Sequence, residues 1–277
     1  MITGHDYADI VDRALAEDLD DAGDITSQTV IPAASRSRGR FIARDAGVIA
    51  GLPVAGYVFA RVDDTVDFRS IEEGARVEAG ASIATVSGPS RSILTAERTA
   101  LNLLARMSGV ATATARFVAA VEGTGARITD TRKTLPGLRV LDKYAVSVGG
   151  GVNHRMGLYD EVMIKDNHIV AAGNLKGAVS RARDQLGPDI RIIVEVETLD
   201  QLADVLTTEA DRVLLDNMDT QTLMRAVEVV DGRLETEASG GVTLETVRAI
   251  AETGVDFISV GAITHSTPQL DIALDFV

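Results

Sequence analysis

Residues that could do chemistry follow six apolar, strand-like runs in the second half of the chain, at the point where each run ends. In chain order they are Asp130-Thr131-Arg132-Lys133-Thr134, Lys165-Asp166-Asn167-His168, Glu197, Asp216-Asn217, Ser239-Gly240-Gly241, and Gly261-Ala262 followed by His265. Because the carboxyl ends of the strands of a barrel share one rim, residues that are distant in sequence would meet there. The pattern indicates an active site rather than six unrelated loops.

The cations of this set predict an anion-binding site. From Thr131 to Arg155 the chain has five basic residues and His154 but one acid, Asp142, whereas the whole chain carries a net charge of −14. Arginine grips carboxylates through two parallel hydrogen bonds, and lysine supplies a point charge. The predicted anion-binding group consists of Arg132, Lys133, His154, Arg155 and Lys165.

Two carboxylates and a glycine turn add a second kind of chemistry. Glu197 and Asp216 follow neighbouring strands and could hold a divalent cation or sugar hydroxyls, or could simply pair with the cationic group. Ser239-Gly240-Gly241 precedes a helix that we expect from Thr243, and the N–H groups of a helix N-terminus bind phosphate. The chain has no cysteine and no Gly-x-Ser-x-Gly elbow. Chemistry by positioning and charge, such as transfer from an activated sugar phosphate, is therefore favoured.

The elements that must position these residues fall into two parts. Residues 37–88 are short strands separated by glycines and predict a small β-rich module. A helical stretch over 95–121 follows, with a break expected near Ser108-Gly109. After about residue 125, strands alternate with amphipathic helices, which predicts a parallel sheet. About six such units, without an early dinucleotide-binding glycine motif, favour a closed barrel over an open doubly wound sheet.

Composition limits the partners and the location. An acidic surface repels nucleic acid and anionic membranes, and no apolar run approaches the roughly 20 residues that span a bilayer. The first residues lack the basic and apolar stretches of a signal peptide. We therefore expect a cytoplasmic protein without nucleic-acid or membrane partners. Four Lys against 23 Arg in an acidic chain is typical of a halophile, and an acidic protein from a mesophile is the alternative.

Longer motifs resemble those of the quinolinate phosphoribosyltransferases over almost the entire chain. Near the start and in the first helical stretch they are Glu17-Asp18-Leu19, Gly23-Asp24-Ile25-Thr26 and Thr95-Ala96-Glu97-Arg98-Thr99-Ala100-Leu101-Asn102. The most specific are Asp130-Thr131-Arg132-Lys133-Thr134-Leu135-Pro136-Gly137, Gly149-Gly150-Gly151-Val152-Asn153-His154-Arg155 and Ile164-Lys165-Asp166-Asn167-His168. The remainder are Glu195-Val196-Glu197, Leu215-Asp216-Asn217, Ser239-Gly240-Gly241 and Gly261-Ala262-Ile263-Thr264-His265-Ser266.

The resemblance implies an α/β fold with an N-terminal α/β sandwich domain and an incomplete TIM-like α/β barrel. We expect the sandwich over residues 1–108 and the barrel over 109–267, with 268–277 packing back on the sandwich. The resemblance also implies a homodimer, with a higher oligomer as an alternative, in which the partner's N-terminal domain covers the barrel mouth.

The resemblance further implies transfer of phosphoribosyl to quinolinate with loss of carbon dioxide, giving nicotinate mononucleotide for NAD biosynthesis. The implied quinolinate-binding residues are the partner subunit's Arg98 together with Thr131, Arg132, His154, Arg155 and Lys165. The implied catalytic residues are Lys133, Glu197 and Asp216, and the last two would hold Mg²⁺ directly or through water. The implied phosphoribosyl diphosphate site comprises those three with Ser239, Gly240, Gly241, Val260, Gly261, Ala262 and His265.

Three alternatives remain open at this point. A sister phosphoribosyltransferase would act on nicotinate or resemble the molybdenum-transport-associated proteins, although a monocarboxylate needs fewer cations than this chain offers. A barrel aldolase or isomerase would use Lys165 as a Schiff base. A non-catalytic barrel would bind anions as a scaffold.

Overall fold

The computed structural model describes residues 2–277. In chain order its first half consists of α1 (Gly4–Leu19), α2 (Ile25–Val30), β1 (Arg36–Ala43), β2 (Gly47–Val48), α3 (Leu52–Val62), β3 (Asp67–Ser70), β4 (Arg76–Val77), β5 (Ser82–Pro89), α4 (Ser90–Ala120), β6 (Arg127–Thr129) and α5 (Arg139–Val148). Its second half consists of β7 (Val162–Ile164), α6 (Asp166–Ala172), α7 (Leu175–Leu186), β8 (Ile192–Val196), α8 (Leu199–Val205), β9 (Arg212–Asp216), α9 (Thr220–Val230), β10 (Glu235–Ser239), α10 (Val247–Ala251), β11 (Phe257–Ser259), α11 (Ala262–His265) and β12 (Ile272–Phe276).

The chain forms two compact units. The first comprises residues up to Ala115 together with Thr134–Gly150 and Ser266–Val277, and the second comprises Arg116–Lys133 and Gly151–His265. The domain boundaries expected at residues 108 and 267 stay predictions. Within residues 2–277, none of the helices combines the length and the apolar character that crossing a bilayer requires.

The first unit contains an antiparallel sheet in the order β12-β1-β5-β3, with a small β2-β4 ladder beside it. Phe41 of β1 and Phe59 of α3 are fully buried and meet edge to face, 5.9 Å apart. Phe68 of β3 stacks on Phe59 at 5.6 Å, so one aromatic cluster joins the helix to the sheet. Such rings bury large apolar areas and stabilise the packing of α3 on the strands.

α3 begins at a turn that needs both a glycine and a carboxylate. Gly51 has φ +101°, a conformation that favours glycine. The Glu73 carboxylate accepts hydrogen bonds from the N–H groups of Gly51 (2.6 Å) and Leu52 (3.0 Å) at the start of this helix. Glu73 therefore satisfies backbone donors that the first turn of a helix otherwise leaves open.

The long helix α4 corrects one prediction. We expected a break near Ser108-Gly109, but α4 continues from Ser90 to Ala120. A Cβ atom at Gly109 would lie 2.3 Å from the carbonyl oxygen of Pro268. The glycine thus permits a close backbone approach inside the first unit, which a single sequence does not distinguish from a helix break.

The second unit contains a six-stranded parallel sheet in the order β6-β11-β10-β9-β8-β7. Strands covered on both faces read as continuous apolar runs, and β8 and β9 fit this rule. Helices between the strands bury one stripe each, as α9 does with Leu223, Ala226 and Val230. The α/β architecture is confirmed.

The closed barrel that the strand count favoured is wrong. The strands follow barrel order, yet β6 and β7 stand at the two ends of the sheet. Six strands leave two edges, whereas the eight strands of a complete barrel leave none. The sheet therefore has the order of a barrel that stays open between its first and second strands.

Candidate active site

A cavity of about 290 Å³ opens at the carboxyl ends of these parallel strands. It is lined by Thr131, Arg132, Lys133, His154, Arg155, Met163, Lys165, Glu195, Leu214, Asp216, Glu237, Ser239 and Ser259. Eight of the predicted site residues are among them, namely Thr131, Arg132, Lys133, His154, Arg155, Lys165, Asp216 and Ser239.

Strand register explains this convergence. Ser239 pairs with Asp216 across β10 and β9, and Ser259 pairs with Thr129 across β11 and β6. The residues that end neighbouring strands therefore stand at the same level, and those that follow them start from one rim. Lys133, Lys165 and Asp216 reach one cavity although they follow three different strands and lie far apart in the sequence.

Three cationic side chains carry most of the positive charge inside the cavity. Arg155 donates through Nη1 to the carbonyl oxygen of Glu161 at 3.2 Å. Burial and the nearby charge of Arg132 lower the pKa of the Arg155 guanidinium, although an arginine stays charged at neutral pH. Lys165 donates through Nζ to the Glu195 carboxylate at 2.5 Å.

Lys133 stands in a turn fixed by its backbone. Its N–H donates to Thr131 Oγ1 at 3.0 Å, and its carbonyl oxygen accepts from Thr264 Oγ1 at 2.8 Å. A Cβ at Gly261 would lie 3.2 Å from Lys133 Cδ and equally near the His265 ring. The predicted residues Gly261, Ala262 and His265 thus adjoin Lys133 outside the cavity lining. Val260 is 1% exposed and supports the strand end by donating its N–H to the Thr129 carbonyl oxygen.

The two predicted carboxylates stand on neighbouring strands. Val196 pairs with Leu215, so Glu197 and Asp216, the next residue of each strand, lie at the same level of the rim. Asp216 Oδ2 accepts from Asn217 Nδ2 at 2.7 Å, and Glu197 is exposed outside the cavity lining. Among residues 2–277, no cluster of three or more acidic or histidine side chains is placed to hold a metal ion by itself.

This donor set nevertheless fits Mg²⁺ that arrives with a phosphate substrate. Mg²⁺ commonly takes one or two protein carboxylates and fills its remaining positions with water and substrate phosphate oxygens. Glu197 and Asp216 provide two carboxylates at one level, with solvent on the side of Glu197.

The glycine turn after β10 requires its glycines. Gly240 has φ +101° and Gly241 has φ +59°, and a Cβ at Gly240 would lie 2.1 Å from Asn217 Oδ1. The helix expected from Thr243 begins only at Val247 and is five residues long. Turns over residues 244–246 precede it, in which the Thr246 hydroxyl accepts from the N–H of Thr243 and the Thr243 carbonyl oxygen accepts from the N–H of Val247. The glycine pair therefore offers backbone N–H groups of a turn rather than of a helix start.

Sequence reasoning missed two carboxylates in the cavity lining, Glu195 and Glu237. Glu237 is fully buried; one carboxylate oxygen accepts from Arg212 Nη1 at 3.0 Å, and the other accepts from the Ser259 hydroxyl. His154 Nε2 lies 3.4 Å from the latter oxygen. A charged residue inside the buried run of β10 is the signal that could have identified Glu237.

The ionisation of Glu237 reflects these neighbours. Burial alone would raise the pKa of this carboxyl, because it penalises the charged form. The His154 imidazole, the Ser259 hydroxyl and the Arg212 guanidinium outweigh burial and hold the pKa of Glu237 below its ordinary value. Glu237 is therefore a carboxylate at neutral pH.

A second, larger cavity of about 1090 Å³ runs along the edge strand β7. Alanine and aliphatic side chains of α6 and α7 form much of its wall, and it shares Arg155 and Met163 with the charged cavity. Leu158 and Tyr159 beside it are exposed. This cavity contains none of Lys133, Lys165, Asp216 and Ser239, which the strand ends bring together in the smaller one; the smaller cavity is therefore the candidate active site.

Arg98, the remaining predicted residue, belongs to the first unit. It is exposed on α4 and lines a separate cavity of about 260 Å³ with Asn102, Gln269 and Asp271.

Comparisons with known proteins cover both parts of the chain. The model of the quinolinate phosphoribosyl transferase N-terminal domain matches residues 24–108, and that of the C-terminal domain matches residues 110–275. The nicotinate-nucleotide pyrophosphorylase [carboxylating] of Mycobacterium leprae is 48% identical over 273 residues, which cover 96% of each chain. Quinolinate phosphoribosyltransferase [decarboxylating] 1b of Nicotiana tabacum is 43% identical, and the match covers 98% of this chain and 82% of that one.

Solved structures agree with the fold. NadC from Streptococcus pyogenes superimposes with a TM-score of 0.95 at 35% identity, covering 100% of this chain and 99% of the other. The similarity thus extends over both units and includes the residues of the charged cavity. The chain belongs to the quinolinate phosphoribosyl transferase family.

Proposed function

We propose that this protein transfers the phosphoribosyl group of phosphoribosyl diphosphate to quinolinate, releasing diphosphate and carbon dioxide and forming nicotinate mononucleotide for NAD biosynthesis. The observation that carries the proposal is the charged cavity, where Arg132, Arg155 and Lys165 meet Lys133 and Asp216. Family membership supplies the identity of the substrates, which charge and shape alone do not specify.

Quinolinate is a planar dicarboxylate, and the cavity suits it. Arg132 and Arg155 offer two-point contacts to carboxylates, and Lys165 adds a point charge. Thr131 and His154 complete the predicted set around these cations. A site with three cations neutralises two substrate carboxylates, while a monocarboxylate such as nicotinate would leave positive charge unpaired.

Phosphoribosyl diphosphate would lie along the rim. Lys133 faces its phosphates, and the turns of Ser239-Gly240-Gly241 and Val260-Gly261-Ala262, with His265, offer backbone and side-chain donors to the 5′-phosphate. Glu197 and Asp216 would hold Mg²⁺ directly or through water. When bound with the substrate, Mg²⁺ would neutralise negative charge on the departing diphosphate.

The chemistry then follows from positioning. Lys133 stabilises the diphosphate as the bond from C1 of the ribose to the leaving oxygen breaks. Arg132, Arg155 and Lys165 hold the pyridine ring so that its nitrogen forms the new bond on the opposite face of C1. The nitrogen becomes positive and withdraws electrons, so the bond to the 2-carboxyl breaks and carbon dioxide leaves. The electron pair left on C2 takes up a proton.

Two alternatives fit the site less well. A Schiff-base enzyme needs a lysine amine that is free to attack a carbonyl carbon, whereas Lys165 Nζ is engaged by the Glu195 carboxylate at 2.5 Å. A non-catalytic anion-binding barrel would have no use for two carboxylates at the rim of a cationic cavity. A sister enzyme acting on nicotinate is the alternative that remains to be separated by experiment.

Product analysis tests the proposal. The purified protein is incubated with phosphoribosyl diphosphate, Mg²⁺ and quinolinate labelled with ¹³C in the 2-carboxyl group. We expect nicotinate mononucleotide by mass spectrometry, one equivalent of diphosphate and ¹³C only in carbon dioxide. Parallel reactions contain nicotinate instead of quinolinate, or the Lys133→Ala variant. Product from nicotinate but none from quinolinate would favour the sister enzyme, and no diphosphate from either would favour the scaffold.

We also propose a homodimer with shared sites, in which the partner subunit's Arg98 binds quinolinate. Arg98 is exposed on α4, and each subunit of a two-fold dimer would complete the site of the other.

Mixing Arg98→Ala with Lys133→Ala tests this arrangement. Each variant alone should be nearly inactive. After free subunit exchange, half of the dimers are mixed, so about a quarter of all sites regain both groups and activity recovers to about a quarter of wild type. Exchange that is confirmed by mass without any recovery would mean that Arg98 acts within its own chain.

The cytoplasmic location stays a prediction.

A further inference from the structure

Glu237 has no part in the proposed reaction, yet it is a fully buried carboxylate beneath the substrate cavity. A buried ion pair such as that of Glu237 with Arg212 is costly to desolvate, and apolar residues in place of both partners are often equally stable. Arg212 has a second carboxylate partner, so it does not require Glu237 to balance its charge. Arg212 also donates to Glu235, at 2.9 Å, and Arg191 contacts the same Glu235 carboxylate at 2.7 Å.

The two ring nitrogens of His154 show what Glu237 approaches on the side of the cavity. His154 Nδ1 accepts a hydrogen bond from the backbone N–H of Arg155 at 2.7 Å, so Nδ1 carries no proton in this arrangement. The ring proton must then be on Nε2, which lies 3.4 Å from Glu237 Oε1. A carboxylate can only accept, so Glu237 favours the tautomer in which Nδ1 is free to accept from Arg155.

We propose that Glu237 is a positioning residue for quinolinate binding, which acts through the tautomer of His154 to hold the Arg155 backbone and aim its guanidinium into the cavity. This inference rests on the proposed function. The backbone of His154 is held as well, because its backbone N–H donates to Asp130 Oδ1 at 3.0 Å. The segment that carries Arg155 is thus fixed by two buried carboxylates.

The Glu237→Gln substitution reverses this preference with almost no change in size. Its amide can turn an NH₂ group toward His154, and this group pairs well only with an Nε2 that lacks a proton. The proton then moves to Nδ1, where it opposes the N–H of Arg155. Glu235→Gln is the matched control, because Glu235 lies on the same strand and shares Arg212 but does not line the cavity.

Steady-state kinetics compare the two variants with wild type. We expect Glu237→Gln to raise the KM for quinolinate about tenfold and to leave the KM for phosphoribosyl diphosphate within about twofold, the scale on which orienting partners act at other sites. Glu235→Gln should leave both KM values near those of wild type. Equal changes in both variants, or an unchanged KM for quinolinate in Glu237→Gln, would overturn the proposal.

Nitrogen NMR of ¹⁵N-histidine-labelled protein provides a readout that does not depend on activity. The chain has four histidines, and His154 is assigned by its absence from His154→Gln. We expect a protonated Nε2 and an unprotonated Nδ1 near pH 7.5, and a shift toward protonated Nδ1 in Glu237→Gln. A protonated Nδ1 in wild type overturns the proposal. Failure of wild type to form nicotinate mononucleotide would instead refute the proposed function.

Discussion

Two glutamates, the half-buried Glu73 of the first unit and the fully buried Glu237 of the second, show how differently a protein can treat the same side chain. Glu73 accepts from two backbone N–H groups at the start of α3, and no cation is among the causes that shift its pKa. Burial raises the pKa of Glu73 above its ordinary value despite those hydrogen bonds and one from Tyr144. Glu237 is more deeply buried, yet Arg212 and His154 help to keep its pKa low. Hydrogen bonds from backbone N–H groups suffice for a helix cap, whereas the carboxylate beside the candidate active site is kept charged by His154, Ser259 and the Arg212 guanidinium.

The largest effect should come from removing the cation of this pair. Arg212→Met leaves Glu237 buried without its guanidinium and removes the contact of Arg212 with the Phe257 ring. We expect the free energy of unfolding in urea at pH 7 to fall by about 3–5 kcal/mol. Arg248→Met, which breaks an exposed pair with Glu252, serves as the control. A loss no larger than that of the control would mean that Glu237 does not depend on Arg212.

Glu197 extends the comparison to a glutamate whose side chain is exposed to solvent. Glu197→Ala, like Lys133→Ala, should lower turnover roughly a hundredfold, because each removes about 3 kcal/mol of charge stabilisation from the transition state. Both side chains are exposed, so the thermal midpoint should stay close to that of wild type. Coupled diphosphate release and calorimetry on the same preparations check this separation. Wild-type turnover in either variant would show that the substituted residue has no catalytic role.

The contributions of Glu237 and Glu73 to stability should change with pH in opposite directions. The stabilisation by Glu237 is present above its unfolded-state pKa, about 4.3, and is lost as the pH falls through its lower folded pKa. The advantage of wild type over Glu237→Gln should therefore shrink in acid. Glu73 has a raised folded pKa, so protonation stabilises the fold as the pH falls through that value.

The advantage of wild type over Glu73→Gln should thus grow between pH 7 and pH 4. Urea unfolding of the three proteins at several pH values measures both differences. If the difference from wild type changed with pH in the same direction for Glu237→Gln and Glu73→Gln, the opposite pKa shifts of the two glutamates would be contradicted.

The smallest effect concerns salt, which distinguishes surface carboxylates from buried ones. The net charge of −14 should make exposed acids repel one another until they are screened, and the Debye length falls to about 3 Å at 1 M. If the halophile interpretation is right, activity and the thermal midpoint rise toward molar salt, and a gain of about 1 kcal/mol would raise the midpoint by roughly 2–4 °C. A midpoint and an activity that are flat from low to molar salt would reject that interpretation.

Much of the candidate site could be predicted because its residues end strands. Lys133, Lys165 and Asp216 interrupt apolar runs, and the parallel sheet brings such interruptions to one rim. Glu195 and Glu237 could not be assigned in this way, since they lie within the strands, and their direction depends on pleat and register. Two partners of Glu237, Arg212 on β9 and Ser259 on β11, lie on the strands that flank β10. A single sequence does not show which strands are neighbours in the sheet.

The errors in the predicted fold also have physical reasons. Gly109 was interpreted as a helix break because glycine disfavours helices, but its role is to admit the Pro268 carbonyl. Strand–helix alternation predicts neighbouring parallel strands. It does not show whether the two edge strands pair with each other and close the sheet into a barrel. That closure depends on strand number and tilt, which periodicity does not report.

During synthesis, β1 leaves the ribosome long before the strand that pairs with one of its edges. Arg44, directly after β1, forms an ion pair with Asp275 in β12, which lies 231 residues further along the chain. At about 5–20 residues per second, that interval lasts roughly 10–50 s. β5 can cover the other edge of β1 early, but the edge reserved for β12 keeps its N–H and C=O groups open to foreign strands. Until Ile272–Phe276 emerges and completes the sheet, this edge is the place where the nascent chain is most exposed to mispairing.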